Sequence, residues 1–486
     1  MFEPQTLLLA LVLIPALGAM LLTWAGRWPN WREAITFTTA GLLLVTVCQL
    51  VPLVLAQQTP SITLWTLAPG LTLALSLEPL GLLFALIASG LWVINSMYSV
   101  GYLRANAEGN QTRFFACFAL SIAATMGIAT SANLFTLFLF YELLTLLTFP
   151  LVTHHGTPEA QKGGRIYLSI LLGTSMLLLL PALIAVWAFT GTTDFKAGGI
   201  LAGHVSGPWV GVLLALAMFG IGKAALMPFH HWLPNAMVAP TPVSALLHAV
   251  AVVKAGVFTV VKLVVYLFGV DFLRQSGQAA WLTWVAGFSI VVASIVALQA
   301  DNLKRRLAFS TVSQLSYVTL ATALLSTWSI KAAALHIAAH AVGKITLFFA
   351  AGAIYTAAHK TRVSELNGIG RRMPWTMGAF GLAALSMIGL PPTFGFISKW
   401  YLVSGAMATA NNFALVVIAL STLLNAAYFL PIVYQAFFKP LSPEDEHHPH
   451  GEAPWPMVLA LSVTAGLTVA LFFFPDGALA LASRLA

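Results

Sequence analysis

Apolar runs near or above 20 residues recur fourteen times along the chain, each ended by polar residues or by Pro/Gly breaks. Their approximate limits are 4–25, 35–56, 78–102, 112–130, 132–153, 165–190, 208–230, 240–269, 280–300, 304–326, 330–358, 374–403, 412–438 and 455–484. The narrowest division is Thr130-Ser131-Ala132-Asn133, between the fourth and fifth. Runs of this length match the thickness of a bilayer's hydrocarbon core, so the pattern predicts an all-α polytopic membrane protein with about 14 transmembrane helices. Composition agrees: 59% of residues are hydrophobic and 8% charged, against about 25% charged in a soluble domain. The start, Met-Phe-Glu-Pro, lacks the basic segment of a signal peptide, so the first run is expected to be retained as a span.

The net charge of +8 sorts by connection and does not suggest a nucleic-acid surface. Arg27, Arg32, Arg104, Arg113, Lys162, Arg165, Lys304, Arg305, Arg306, Lys360, Arg362, Arg371, Arg372 and Lys439 all fall in odd-numbered connections. The even connections and the C-terminal end hold Lys196, Arg274, Lys331 and Arg484. By the positive-inside rule the odd connections are cytoplasmic and both termini face outward.

Five lysines remain inside spans, namely Lys223, Lys254, Lys262, Lys344 and Lys399, together with one deep carboxylate, Glu142. A lysine at the bilayer centre costs roughly 3 kcal/mol or more, so each should face a partner or a wet cavity. His336, His340 and Lys344 are spaced by four and four, which stacks three proton-exchanging groups on one helix face. Helix-to-helix glue is the competing reading of that trio. His248 and Lys254 are six apart, about 9 Å along the axis and on different faces, so something else must link them. Lys262 lies about 12 Å beyond Lys254 and is expected to snorkel to the interface.

Two spans should be broken. The seventh carries Lys223 shortly before Pro228, and the twelfth carries Pro391-Pro392 shortly before Lys399. Proline removes a backbone donor and clashes with the preceding turn. Freed backbone groups at membrane depth need a protein or watered surround, and water is the expected partner at the twelfth. Breaks five spans apart predict two inverted five-helix repeats, spans 4–8 and 9–13, with broken helices 7 and 12. The implied division is 1–110, 111–270, 271–440 and 441–486. The connection 439–454, with Glu444, Asp445, Glu446, His447, His448 and His450, reads as a solvated linker, with a metal site as the alternative.

Cys48 and Cys117 sit in apolar runs, and no Cys-x-x-Cys, Gly-rich phosphate loop or Ser-His-Asp order suggests a cofactor, a metal or covalent catalysis. Neither redox nor hydrolytic chemistry is expected of the chain itself. Five segments, Tyr141-Glu142, Lys223 to Pro234, Pro240 to Gly256, His336 to Gly352 and Gly389 to Trp400, occur in one order. Together they resemble the antiporter-like subunits shared by respiratory complex I, membrane-bound hydrogenases and Mrp-type multisubunit cation/proton antiporters. The resemblance implies that Glu142 and Lys223 interact at the start of a lateral proton path. It also implies that Lys254 and Lys344 are central relays flanked by His248, His336 and His340, and that Lys399 is the terminal site. The chain's length, Lys399 and Gly-Phe-Ile-Ser-Lys-Trp-Tyr look most like the D member of the Mrp set.

The expected function is therefore proton translocation within a larger complex in a bacterial or archaeal plasma membrane, with other membrane subunits and Na+ as partners. The alternative is a proton-pumping subunit of a complex I-like oxidoreductase or hydrogenase. An independent solute carrier is a further alternative, but the intramembrane groups titrate protons and are spread over several spans.

Overall fold

The computed structural model describes residues 3–441 and 451–485. Its helices are α1 (Pro4–Trp24), α2 (Pro29–Leu55), α3 (Pro79–Ala105), α4 (Gln111–Ala129), α5 (Leu134–Val152), α6 (Pro158–Thr190), α7 (Pro208–Gly220) and α8 (Thr241–Phe268). They continue with α9 (Ala280–Gln299), α10 (Leu303–Ala323), α11 (Thr327–Ala358), α12 (Pro374–Ile388), α13 (Phe394–Ala408), α14 (Asn412–Phe438) and α15 (Trp455–Phe473). Many begin on local chemistry. Proline stands in the first turn of α1, α2, α3, α6, α7 and α12, where its missing N–H costs nothing. Asn133, Thr157, Asn302, Ser326 and Asn411 cap α5, α6, α10, α11 and α14 by accepting a free backbone N–H.

Eleven helices among the described residues are long and apolar enough to cross a membrane. The other three expected spans depart from that description for separate reasons. The seventh stops at Gly220, and the twelfth is split into α12 and α13. The tenth, α10, is full length but polar, reading LKRRLAFSTVSQLSYVTLATA. Every residue of α10 from Arg306 to Ala323 is buried, so protein and not lipid surrounds its hydroxyls.

The connections gather on two opposite ends. At one, Arg104 pairs with Glu33 at 2.6 Å, Arg113 reaches the His154 carbonyl, Lys304 reaches Ala239, and Leu303 bonds Thr361. These contacts lie in or beside the odd connections. At the other end, Ser76 bonds Thr130 and Leu134 bonds Thr193, while Lys196 bonds Tyr266 near the close of α8. That end also holds a feature the span pattern missed, a β-hairpin of β1 (Ser61–Ala68) and β2 (Leu71–Ser76). Its backbone bonding runs on into the 130–132 connection, since Ala132 donates to Ala74. Glu444, Asp445, Glu446, His447, His448 and His450 lie outside the described residues.

Helix α11 is the centre, packed against α3, α8, α10, α12, α13 and α15. Its residues from Ile330 to Ile354 are buried but for Lys331. By contrast α1, α2, α14 and α15 bury little more than one face. The polar groups of α8, α10 and α11 are thereby held away from any surrounding lipid.

Candidate functional site

The site begins where α7 ends. Ile221 leaves helical geometry and Ala225 takes a left-handed conformation, so residues 222–231 run as a 3₁₀ turn and loops. The exposed backbone is taken up by protein: Tyr141 Oη accepts the Lys223 N–H at 3.0 Å, and Trp232 Nε1 donates to the Gly222 carbonyl at 2.9 Å. Gly256 lets α8 lie against this break, since a Cβ there would come within 2.3 Å of the Lys223 carbonyl carbon. Lys223 is fully buried, and its ammonium donates to the Tyr141 carbonyl at 2.7 Å and to Thr145 Oγ1 at 2.6 Å. The same nitrogen lies 3.2 Å from the centre of the Tyr141 ring.

Glu142 follows Tyr141 on α5 and is buried, but it makes no direct ion pair with Lys223. Neither carboxylate oxygen has a hydrogen-bond partner among the described residues. Lys223 remains within electrostatic reach of it. The ammonium is instead bonded to α5's own carbonyl and hydroxyl.

The central cluster joins α8, α10 and α11. The Lys254 ammonium hydrogen-bonds His340 Nδ1. His340 and His336 stack with ring centres 6.3 Å apart, one turn apart on α11 as the spacing requires. His336 is held at both nitrogens, Nδ1 by Ser398 Oγ and Nε2 by Gln314 Oε1, each at 3.0 Å. Lys344 Nζ donates to Ser310 Oγ at 2.6 Å. His248 Nδ1 meets Thr311 Oγ1 at 3.1 Å, and its Nε2 has no hydrogen-bond partner among the described residues. His248 and Lys254 therefore do not touch. Each has its own partner on a neighbouring helix, Thr311 of α10 for His248 and His340 of α11 for Lys254.

Lys399 lies beyond His336. Its ammonium donates to the Ile388 carbonyl, the last residue of α12, at 2.8 Å, and sits 4.9 Å from the Tyr317 ring centre. The Met387 carbonyl accepts from Gln314 and Asn425, and Gly395 N–H donates to Ser386 Oγ. Where water was the expected partner of this break, neighbouring side chains supply the hydrogen bonds to the Met387 and Ile388 carbonyls. Gly389 is required here, with φ +90 and with Lys399 Cδ 2.5 Å from where a Cβ would stand. Gly389→Ala should destabilise the protein by about 1–3 kcal/mol, the usual range for strained backbone. A lower thermal midpoint in detergent would register it; an unchanged midpoint would show that the break can relax.

Lys262 also departs from expectation. It does not snorkel: it is 1% exposed and pairs with Glu78 at 2.9 Å while donating to the Ser131 carbonyl at 2.8 Å. The acid comes from the residue before α3, which no helical periodicity on α8 could reveal.

The residues that spacing arguments overlooked lie mainly on α10. Ser310, Thr311, Gln314 and Tyr317 follow each other at helical intervals and meet Lys344, His248, His336 and Lys399 respectively. Their signal was legible: a 21-residue span with three serines, three threonines and a glutamine is too polar to face lipid. A second overlooked feature is the π-helical turn Leu246–Val250, which carries His248. Such turns recur at functional sites.

Comparison with known proteins places this geometry. The chain is 35% identical over 348 residues to NADH-quinone oxidoreductase subunit N of Desulforudis audaxviator, covering 71% of this chain and 69% of that protein. It is 29% identical over 426 residues to the Hydrogenase-4 component B of Escherichia coli, covering 82% of this chain and 62% of that longer one. In fold it superposes on a chain of the Mrp complex from Dietzia sp. DQ12-45-1b with a TM-score of 0.88, at 21% identity, over 100% of this chain and 97% of that one. Residues 131–425, the stretch from the start of α5 into α14 that contains every intramembrane lysine described above, match the membrane region common to NADH:quinone oxidoreductases and Mrp antiporters, and the chain belongs to that family.

Proposed function

We propose that this chain translocates protons as an antiporter-like subunit of a multisubunit membrane complex, in the role of the D member of an Mrp-type Na+/H+ antiporter. The observation that carries the reading is the contact sequence Lys254–His340–His336, closed in by Lys344, His248 and Lys399 and buried on all sides. Groups that exchange protons are rarely retained in such a setting unless a proton uses them. In this reading Glu142 and Lys223 control the first step, Lys254 and Lys344 relay the proton with His248, His336 and His340, and Lys399 passes it on. Spans 4–8 and 9–13 act as inverted half-channels, residues 111–270 and 271–440, between the N-terminal spans (1–110) and the last segment (441–486). The basic odd connections favour a cytoplasmic location for that end, with both termini outside a bacterial or archaeal plasma membrane.

A second reading, a membrane subunit of a complex I-like oxidoreductase, is favoured by the 35% identity to an oxidoreductase subunit N. The test is to purify the chain with its natural partners and reconstitute the assembly. Dissipation of a preset pH gradient on adding Na+ supports the antiporter. Co-purifying iron–sulfur subunits with no cation response would support the oxidoreductase.

Glu142→Gln bears on the first step. It keeps the shape and removes the charge that Lys223 can turn back toward. Transport should fall to background while the complex still assembles. Near-normal transport at normal abundance would remove Glu142 from the mechanism.

A further inference from the structure

A cavity of about 250 Å3 opens among the odd connections, with Tyr102, Glu108, His155, Thr241, Lys304 and Ala351 among its lining residues. Its inner end is in line with the central cluster. Thr241 precedes His248 by seven residues on α8, and Ala351 follows Lys344 by seven on α11. Seven residues are about two turns of α-helix, so Lys344 and Ala351 share a face of α11 about 10 Å apart, while Thr241 leads to His248 through the π-helical turn Leu246–Val250.

The interval between them contains polar atoms with no hydrogen-bond partner among the described residues. Ser244 Oγ, between Thr241 and His248, is fully buried and unpartnered. So are His248 Nε2 and Asn95 Oδ1, and Asn95 reaches the same turn of α8 by donating to the Pro242 carbonyl. Buried polar atoms left open in this way are the usual mark of bound water.

At the outer rim, His155 presents both ring nitrogens to acceptors. Nε2 is 3.2 Å from Glu108 Oε1, and Nδ1 is 3.3 Å from the Val238 carbonyl. Only the imidazolium can donate to both, since a neutral ring has one N–H. We infer that this cavity is a proton-uptake vestibule, in which Glu108 and His155 form the loading pair and water along Thr241, Ser244 and Asn95 delivers the proton to His248.

The charges around the pair come from every neighbouring connection: Arg113 on α4, His154 beside His155, Lys304 at the start of α10, and Lys360 after α11, with Tyr102 and Tyr355 on the walls. The hydrogen bond that His155 donates to Glu108 raises His155 above its ordinary range, against burial and Lys304. His155 therefore keeps its proton to higher pH than a free histidine and loses it as pH rises through the raised value. His154, lowered mainly by burial, reaches the other oxygen of Glu108 at 3.9 Å.

The inference rests on the proposed proton translocation. Its test is the initial rate of proton uptake by the reconstituted whole complex, measured against pH on the odd-connection side. Wild type should hold its rate and then decline on the alkaline side. In Glu108→Gln the decline should begin at lower pH, because the raising partner is gone, and in His155→Gln that titration should vanish. Ser244→Ala, and Ala351→Leu, which fills the inner end, should each slow uptake at all pH values by at least about tenfold. A Glu108→Gln profile that superposes on wild type, or wild-type rates in assembled Ala351→Leu, would overturn the vestibule. An assembled wild type that moves no protons would instead overturn the reading beneath it.

Discussion

Lys254→Arg and Lys344→Arg are each expected to assemble normally and to fail in transport. Arginine keeps the positive charge but effectively never releases its proton. Lys254 makes the direct contact with His340, and Lys344 sits between Ser310 and the face of Phe429. If a proton must leave and return at these nitrogens, a fixed cation blocks the step. A barrier raised by about 3 kcal/mol is a factor of about 100 in rate, so transport should drop to about 1% of wild type or less. The measurement is cation-driven pH change in proteoliposomes, normalised to assembled complex. Retention of most of the activity in either arginine variant would mean that the lysine sets an electrostatic field and does not carry the proton. Lys254→Gln separates the two roles further. It removes charge and relay together, so a field role predicts loss in the glutamine variant alone.

The geometry explains why these two lysines, and not Lys262, are the sensitive ones. Lys262 has a carboxylate at 2.9 Å and a carbonyl at 2.8 Å, so its proton is held by a fixed counter-charge. Lys254 and Lys344 have neutral partners, a histidine and a serine. A buried cation with only neutral hydrogen-bonding partners is poorly compensated, so no opposite charge pins the proton in place.

Periodicity made the stacking of His336, His340 and Lys344 legible, because those three share one helix and one face. It also located both broken spans, since proline and glycine act on the backbone wherever they stand. What it could not supply was the partner across a helix interface. Glu78 for Lys262, Gln314 and Ser398 for His336, and Thr145 for Lys223 come from other elements. The β-hairpin was legible in principle: Ile62, Leu64 and Leu71, Leu73, Leu75 alternate with other residues around a Pro69-Gly70 turn. A search for 20-residue apolar runs passes over a six-residue strand. The tenth apolar run is visible in the sequence but its role is not, because its serines and threonines read as tolerated polarity and not as a row of partners.

Lys399 raises the question of whether a buried lysine moves a proton or only holds a broken helix. Its bond to the Ile388 carbonyl ties α13 to the end of α12, so Lys399→Ala strips a buried acceptor of its partner and costs about 1–3 kcal/mol. Loss of transport in that variant alone is therefore ambiguous. Lys399→Gln is the sharper substitution, since its amide N–H can still donate to a carbonyl but cannot titrate. A relay role predicts that Lys399→Gln abolishes net transport while hydrogen–deuterium protection across 374–408 stays as in wild type. Lys399→Ala should then also be inactive, with protection reduced only near residues 386–395. A pinning role predicts the reverse separation: normal transport in Lys399→Gln, and loss of both protection and assembly in Lys399→Ala. Gln314 offers an internal check. It donates to the Met387 carbonyl and accepts at His336, so it links the break to the axis. If Lys399 hands on a proton received from His336, Gln314→Leu should depress transport as strongly as Lys399→Gln, by about tenfold or more. If Lys399 only fastens the helix, Gln314→Leu should lower stability by the worth of one buried hydrogen bond and leave the rate per assembled complex unchanged.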